Sequence, residues 1–209
     1  DKMHKMVEEA CKGLAGVSAS QVEMKSGIQF YDGVTTAEIQ EILIRAASDL
    51  IDLETPNYQF VAARLMLFAL RKQVYGKMHD LVTVKEQVER CVEAGVYDPE
   101  ILTYYTDEEF AELEAMIDHD RDYIFTFAGL RQVLDKYLVQ DRTSDTMYET
   151  PQFMYLLIAA TIFSQYPKET RMSYVKKYYD ATSKHRINIP TPIMAGVRTT
   201  LRQYASCVL

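Results

Sequence analysis

A thiol flanked by small and polar residues is the strongest chemical signal in this 209-residue sequence. Cys207, in Ser206-Cys207-Val208-Leu209, lies beyond any helical apolar stripe, where a thiolate is able to act as a nucleophile or redox centre. Upstream, Pro190-Thr191-Pro192 is expected to hold Thr191 in an extended backbone. Each proline ring fixes its own φ and drives the preceding residue out of the α region. Thr191 would then offer its hydroxyl and amide to a ligand rather than to a helix. The segment from Ser206 to Leu209 reads as the opening of a strand.

The remaining reactive residue types carry blander readings. Cys11 falls on the apolar stripe Met3, Met6, Val7, Ala10 and Leu14, and Cys91 shares one with Val84, Val88 and Val92, so both are expected as buried core thiols. The three cysteines form no C-x-x-C pair and no zinc spacing. Asp118-His119-Asp120-Arg121-Asp122 resembles a metal cluster only in composition. Successive residues on a helix or turn point in different directions, so caps and surface ion pairs are expected and no metal. His4, His79 and His185 stand alone, with no carboxylate or histidine at ligand spacing. Tyr174 and Tyr178 share a helical face, a packing stripe rather than a stacking platform. The sequence contains no glycine-rich phosphate loop, and nothing ties a histidine and an acid to Ser206 as a triad.

Composition narrows the classes further. With 48% hydrophobic and 25% charged residues the chain reads as an ordinary globular protein of one domain or two small ones. A net charge of -7 argues against nucleic acid as the main partner. The longest apolar runs, such as Met154 to Phe163, fall short of the roughly 20 residues a membrane span needs. The amino end has no apolar signal region, and a cytoplasmic location is expected.

The elements that must position these residues are mostly helices. The first runs from about Lys2 to Lys12 and stops at Gly13. Ser18 with Gln21, Thr35 with Glu38, Thr83 with Glu86, and Thr106 with Glu109 each have the spacing of a capping box opening a helix. The helix after Pro56 carries Val61, Ala62, Leu65, Phe68 and Ala69 on one face and ends near Gly76. Asp98-Pro99 reads as a cap followed by proline at the first helical position. A helical segment is expected from Phe125 to Leu134, and Lys136 to Glu149 reads as a small hairpin. Thr150-Pro151 opens an apolar helix to about Phe163, and Lys168 to about Thr182 forms the last long one. The fold expected is mainly α, with units at 1–76, 77–189 and 190–209.

Many short words in order carry a resemblance. Pro190-Thr-Pro-Ile-Met194, Gly196-Val-Arg-Thr199 and Ser206-Cys-Val208 resemble the entrance to the catalytic barrel of the class I ribonucleotide reductase large subunit. Gln29-Phe-Tyr-Asp-Gly33, Ile44-Arg-Ala-Ala47, Pro56 to Leu65 and Ala69-Leu-Arg-Lys72 are similar to its ATP cone, a regulatory nucleotide module. Tyr97-Asp98, Tyr105-Thr106, Ile117 to Asp122, Lys136-Tyr-Leu-Val139 and Tyr148-Glu149 match the helical region between.

The resemblance implies an oxidoreductase of deoxyribonucleotide biosynthesis, serving DNA replication by reducing ribonucleoside diphosphates. It implies Cys207 as one of the redox pair at the substrate ribose, and Thr191 and Ser206 as contacts to the substrate diphosphate region. Lys2, Met3, Thr36 and Ile39 correspond to allosteric ATP/dATP contacts, Lys72 to a phosphate contact, and Phe30 to a wall of that site. No cofactor is expected on this chain itself, since the radical cofactor resides in the partner subunit. The partners implied are the radical-generating small (beta) subunit, the remainder of the large subunit, a homodimer of the parent, and thioredoxin or glutaredoxin as reductant. The family's cone begins with a β-hairpin that this sequence lacks, so weak effector binding is expected. The chain ends at the first strand of a missing α/β barrel, so it is expected to be an inactive fragment. The alternative is a freestanding, non-enzymatic ATP/dATP-sensing or docking module.

Overall fold

α4 (Tyr58–Tyr75) is largely apolar along most of its length, and a helix of that kind has to lie inside a domain. In the computed structural model, which describes residues 2–205, it does so: Val61, Ala62, Leu67 and Phe68 have no exposed surface. α1 (Lys2–Cys11) and α3 (Thr36–Ser48) pack against α4, and α2 (Ala19–Gly27) packs against α1 and α3. Small side chains at Ala46, Ala47, Ala62 and Ala63 are all buried, as close helix approach requires. The C-terminal stop of α4 is Gly76 at φ 71, a left-handed conformation that glycine adopts without a Cβ penalty. These helices form one compact unit, Asp1–Met78, to which Tyr123–Gln132 returns. Tyr123 fixes that return: its ring lies edge-on to Phe68, with the guanidiniums of Arg64 and Arg71 5.2 and 5.8 Å from its centroid.

Three of the four expected capping boxes form, at Thr35/Glu38, Thr83/Glu86 and Thr106/Glu109. Ser18 does not cap α2 with its side chain. The Tyr58 hydroxyl takes over that corner, accepting from the Ser18 amide at 3.0 Å and donating to Gln21 Oε1 at 2.5 Å. A phenol from a helix 37 residues away thus replaces the local box. Tyr58→Phe should therefore lower the stability of this unit by about 1–2 kcal/mol, the cost of stranding a part-buried amide and carboxamide. A urea titration followed by circular dichroism measures it.

The second unit comprises His79–Asp122 and Val133–Leu209. Its centre is α9 (Pro151–Ile162), in which every residue from Pro151 to Ala160 is buried. α10 (Lys168–Ser183) and α11 (Thr191–Gly196) pack on α9, while α7 (Asp107–Met116) packs on α10 and on α5 (Val84–Glu93). The short α6 (Ile101–Tyr104) packs on α5, and Tyr105, which follows it, donates to Ala160 O at 2.6 Å. The Asp98 side chain accepts from the Glu100 amide at 3.0 Å, as a cap would, although the helix begins only at Ile101. α8 (Phe127–Lys136) precedes an antiparallel hairpin of β1 (Gln140–Asp141) and β2 (Thr146–Met147), with Gln140 opposite Met147. The expected hairpin is present, shortened to its two innermost pairs.

Several readings are corrected. The run Asp118 to Asp122 forms a 3-10 turn (His119–Ile124), and only part of it is a surface feature. Asp122 is buried and accepts from Gln152 Nε2 at 2.7 Å, and the Asp118 amide donates to the Tyr179 hydroxyl at 3.0 Å. On α10 the buried stripe is Arg171, Val175 and Tyr179. Tyr174 and Tyr178 flank it in a partly exposed cluster with Phe163 and Tyr166. Cys11 is only half-buried, because it closes α1 at the edge of the unit, whereas Cys91 is fully buried. His4 is not alone. Its ring nitrogens face Glu23 on α2 and Glu8 one helical turn on, the second of which is visible in the sequence spacing.

Candidate functional site

Two sets of residues carry the expected chemistry, one in each unit. In the first, Lys72 occupies the last turn of α4 and is half-buried. Its ammonium lies 3.9 Å from the Met6 thioether on α1, and among the described residues it meets no carboxylate. A thioether is a weak acceptor, so this cation remains available to an anion. Lys2 is exposed at the start of α1, with Met3 half-buried beside it. Thr36 is the first residue of α3, Ile39 is half-buried one turn further, and Phe30 is half-buried in the connection before α3. Lys72 is thus joined directly to α1, while Thr36 and Ile39 are carried by α3, which packs against α4.

The amino end of α3 already holds an anion of its own. Glu38 accepts from the Thr35 amide at 2.8 Å, the Thr35 hydroxyl at 2.7 Å and the Tyr31 hydroxyl at 2.7 Å. These donors hold its carboxyl down at about 2, the Thr35 amide contributing most. Because the folded value is depressed, the stabilisation is complete above the ordinary carboxylate range near 4.5 and fades as pH falls towards 2. A cleft of about 460 Å³ lies beside this cap, lined by Gln29, Tyr31, Glu38, Glu41, Ile42 and Arg45. None of the six expected effector residues lines it.

In the second unit the segment holding Thr191 is built differently from the expectation. Pro190 is extended, at φ -63 and ψ 146, but Thr191 begins α11 instead of continuing that conformation. Proline is tolerated in a first helical turn, where its missing N–H has no intrahelical partner, so Pro192 does not bar the helix. The Thr191 hydroxyl is exposed and 3.4 Å from the Tyr137 hydroxyl. Ser206 and Cys207 lie outside the described residues.

What holds this segment is a charge pair that sequence reasoning missed. Arg198 and Glu149 have no exposed surface, and Arg198 Nε lies 3.0 and 2.8 Å from the two Glu149 oxygens, with Nη2 also on Oε1. The Tyr97 hydroxyl and the Val139 amide donate to the same carboxylate. Arg198 further donates to Met194 O at 2.5 Å and Tyr137 O at 2.9 Å. Burial and the Glu149 charge push the Tyr97 phenol well above its usual range. Beyond it, Arg202 donates to Asp98 at 2.5 Å, and the Asp98 amide donates to Arg198 O at 3.0 Å. Burial alone would raise the Asp98 carboxyl, but Arg202 and the Glu100 amide hold it below its ordinary value.

Comparison with known proteins matches two stretches of the chain. The ATP cone domain matches residues 1–73, and the all-alpha domain of ribonucleotide reductase matches residues 123–202. The alpha subunit of ribonucleoside-diphosphate reductase 1 from Escherichia coli K12 is 51% identical over the whole chain. The corresponding subunit of Haemophilus influenzae is 50% identical over the whole chain, and that of phage T4 is 45% identical over 93% of it. The chain belongs to the ribonucleotide reductase large-subunit family. It spans 27% of the E. coli relative, 28% of the H. influenzae one and 26% of the phage one.

The two described cysteines, Cys11 and Cys91, are free thiols. Burial pushes Cys91 up to about 12, reinforced by the Glu149 charge, and Cys11 up to about 11. Among the described residues no group of acids, histidines and cysteines is placed to hold a metal, and no helix is long and apolar enough to cross a membrane. At pH 8 iodoacetamide should modify native Cys91 at least about tenfold more slowly than a free thiol, since so little thiolate is present. Peptide mass spectrometry over a time course reads that ratio.

Proposed function

We propose that the chain is the regulatory and helical amino-terminal portion of a class I ribonucleoside-diphosphate reductase large subunit. On this reading residues 1–76 are a cone that receives ATP or dATP, 77–189 a helical domain, and 190–209 the entry to a catalytic barrel. The observation that carries the regulatory half is Lys72: a half-buried ammonium beside α1 whose described partner is a thioether. A lysine so placed is a ready contact for a phosphate, while Met3, Phe30 and Ile39 supply apolar surface for a base.

In the parent enzyme Cys207 would be one thiol of the pair that reduces the ribose, with Thr191 and Ser206 towards the diphosphate. The radical would come from a small subunit, and thioredoxin or glutaredoxin would restore the dithiol. Assembly as a homodimer and a cytoplasmic location complete the proposal.

The test is nucleotide binding by the 209-residue chain. ATP is added to isotope-labelled protein, and amide shifts near Lys72, Met3 and Thr36 are followed. A weak complex, with a Kd of about 1 mM, is the expected result, and Lys72→Met should weaken it about tenfold. Shifts absent from all three regions, or equal binding by the Lys72→Met variant, would refute the assignment.

A further inference from the structure

His4 presents a chemical constraint that its sequence neighbours do not suggest. Its Nδ1 lies 2.8 Å from Glu23 Oε1 on α2, and its Nε2 lies 3.2 Å from Glu8 Oε1 on α1 itself. An ionised carboxylate only accepts hydrogen bonds. A neutral imidazole donates from one nitrogen and turns a lone pair outwards at the other. In either tautomer, then, one carboxylate would face a lone pair. Only the imidazolium, with a proton on each nitrogen, both hydrogen-bonds Glu23 and attracts Glu8 through its charge.

We propose that His4 is a proton-operated clamp that holds α1 against α2 and thereby sets the affinity of the effector site whose α1 contacts, Lys2 and Met3, immediately precede it. The effector part of this inference rests on the nucleotide reading above; the clamp itself rests on the geometry of His4 alone.

The charges around the ring favour this assignment. Glu23 from α2 and Glu8 from α1 are the acids that face it. The cations that α4 directs at α1 reach other atoms: Arg64 donates to Ala10 O and Lys12 O, and Lys72 contacts Met6. The hydrogen bond to Glu23 raises the His4 pKa above 6.5, and the negative charge of Glu8 adds to it. Because the folded value is raised, the clamp is fully closed below the ordinary histidine range and is lost as pH climbs through the folded value.

The direction is informative, because the terminal phosphate of ATP gains charge as pH rises and would by itself strengthen binding to Lys72. A clamp predicts the reverse trend for the unmodified chain.

Three measurements on the 209-residue chain test it. The His4 ring is titrated by NMR, hydrogen exchange of α1 amides is compared at pH 6 and 8.5, and ATP binding is measured at both pH values in the unmodified chain and in His4→Gln. The expected results are a His4 midpoint above 6.5 that falls on Glu23→Gln, α1 exchange several-fold faster at the higher pH, and ATP affinity that drops several-fold more in the unmodified chain than in His4→Gln. A His4 midpoint at or below 6.5, α1 exchange no faster at pH 8.5, or identical pH profiles of ATP binding in the two proteins, overturns the clamp while leaving the nucleotide site standing. A chain that binds no ATP at either pH, yet shows the raised His4 midpoint and the pH-dependent α1 exchange, supports the clamp and sinks the nucleotide reading instead.

Discussion

Arg198→Met should destabilise the second unit by about 3–5 kcal/mol, a large part of what holds a domain of this size together. The cost arises less from the lost attraction than from what remains. Glu149 would stay inside, with no surface exposed to water and, among the described residues, only the Tyr97 hydroxyl and the Val139 amide as donors. An uncompensated buried carboxylate is among the most expensive defects a fold can carry. Met194 O and Tyr137 O would lose a donor at the same time. Adding Glu149→Gln to Arg198→Met should recover part of the loss, because a carboxamide carries no charge to desolvate, its oxygen can still accept from the Val139 amide, and its nitrogen can donate to the Tyr97 hydroxyl. The double-mutant cycle, read by urea unfolding, isolates the coupling between the two residues. Single losses of about 1 kcal/mol that simply add would show that the pair is not the anchor of the segment from Met194 to Arg202.

The elements of the fold that could be read from the sequence are those set by neighbours in the chain. Thr35, Thr83 and Thr106 each find their glutamate three residues on, and that pairing needs nothing beyond one turn of backbone. Gly76 ends α4 for an equally local reason. Ser18 has the same spacing to Gln21, yet Tyr58 intervenes from a distant helix, and no local rule carries that information. Glu109 illustrates both levels. It closes the capping box of α7, as its spacing predicts, but it also receives the guanidinium of buried Arg171 from α10. Burial would raise its carboxyl, and Arg171 more than offsets that, holding it below its usual range.

The candidate sites divide along the same line. Lys72 and Thr36 were legible as residues at helix ends. The thioether that Lys72 meets was not, since it depends on how α1 lies on α4. Glu149 and Arg198 look like surface residues in a linear reading, because charged side chains are rarely fully buried unless paired. The pairing is fixed by residues 49 positions apart. Glu8 was one turn from His4 and visible; Glu23 became its partner only through packing of α1 on α2.

The purified 209-residue chain should show no ribonucleotide reduction at all, even with a small subunit, effector and dithiol supplied. On the proposed chemistry, removing an oxygen from ribose consumes two electrons, which a dithiol delivers as it closes to a disulfide. A thiyl radical that starts the reaction needs a further sulfur. Only three cysteines are present in this sequence. Cys91 is sealed in the interior beside the Tyr148 carbonyl, with its thiol pushed up to about 12, and Cys11 closes α1 in the other unit with its thiol pushed up to about 11. With so little thiolate near neutral pH, neither is expected to complete a dithiol with Cys207 on the proposed chemistry. Turnover should appear only when the remaining three-quarters of a relative's length is joined to it or added in trans, and Cys207→Ser in that assembly should abolish deoxynucleotide formation while leaving ATP binding by the cone unchanged. Measurable product from the isolated chain, or from the Cys207→Ser assembly, would mean that the sugar is reduced by some other route.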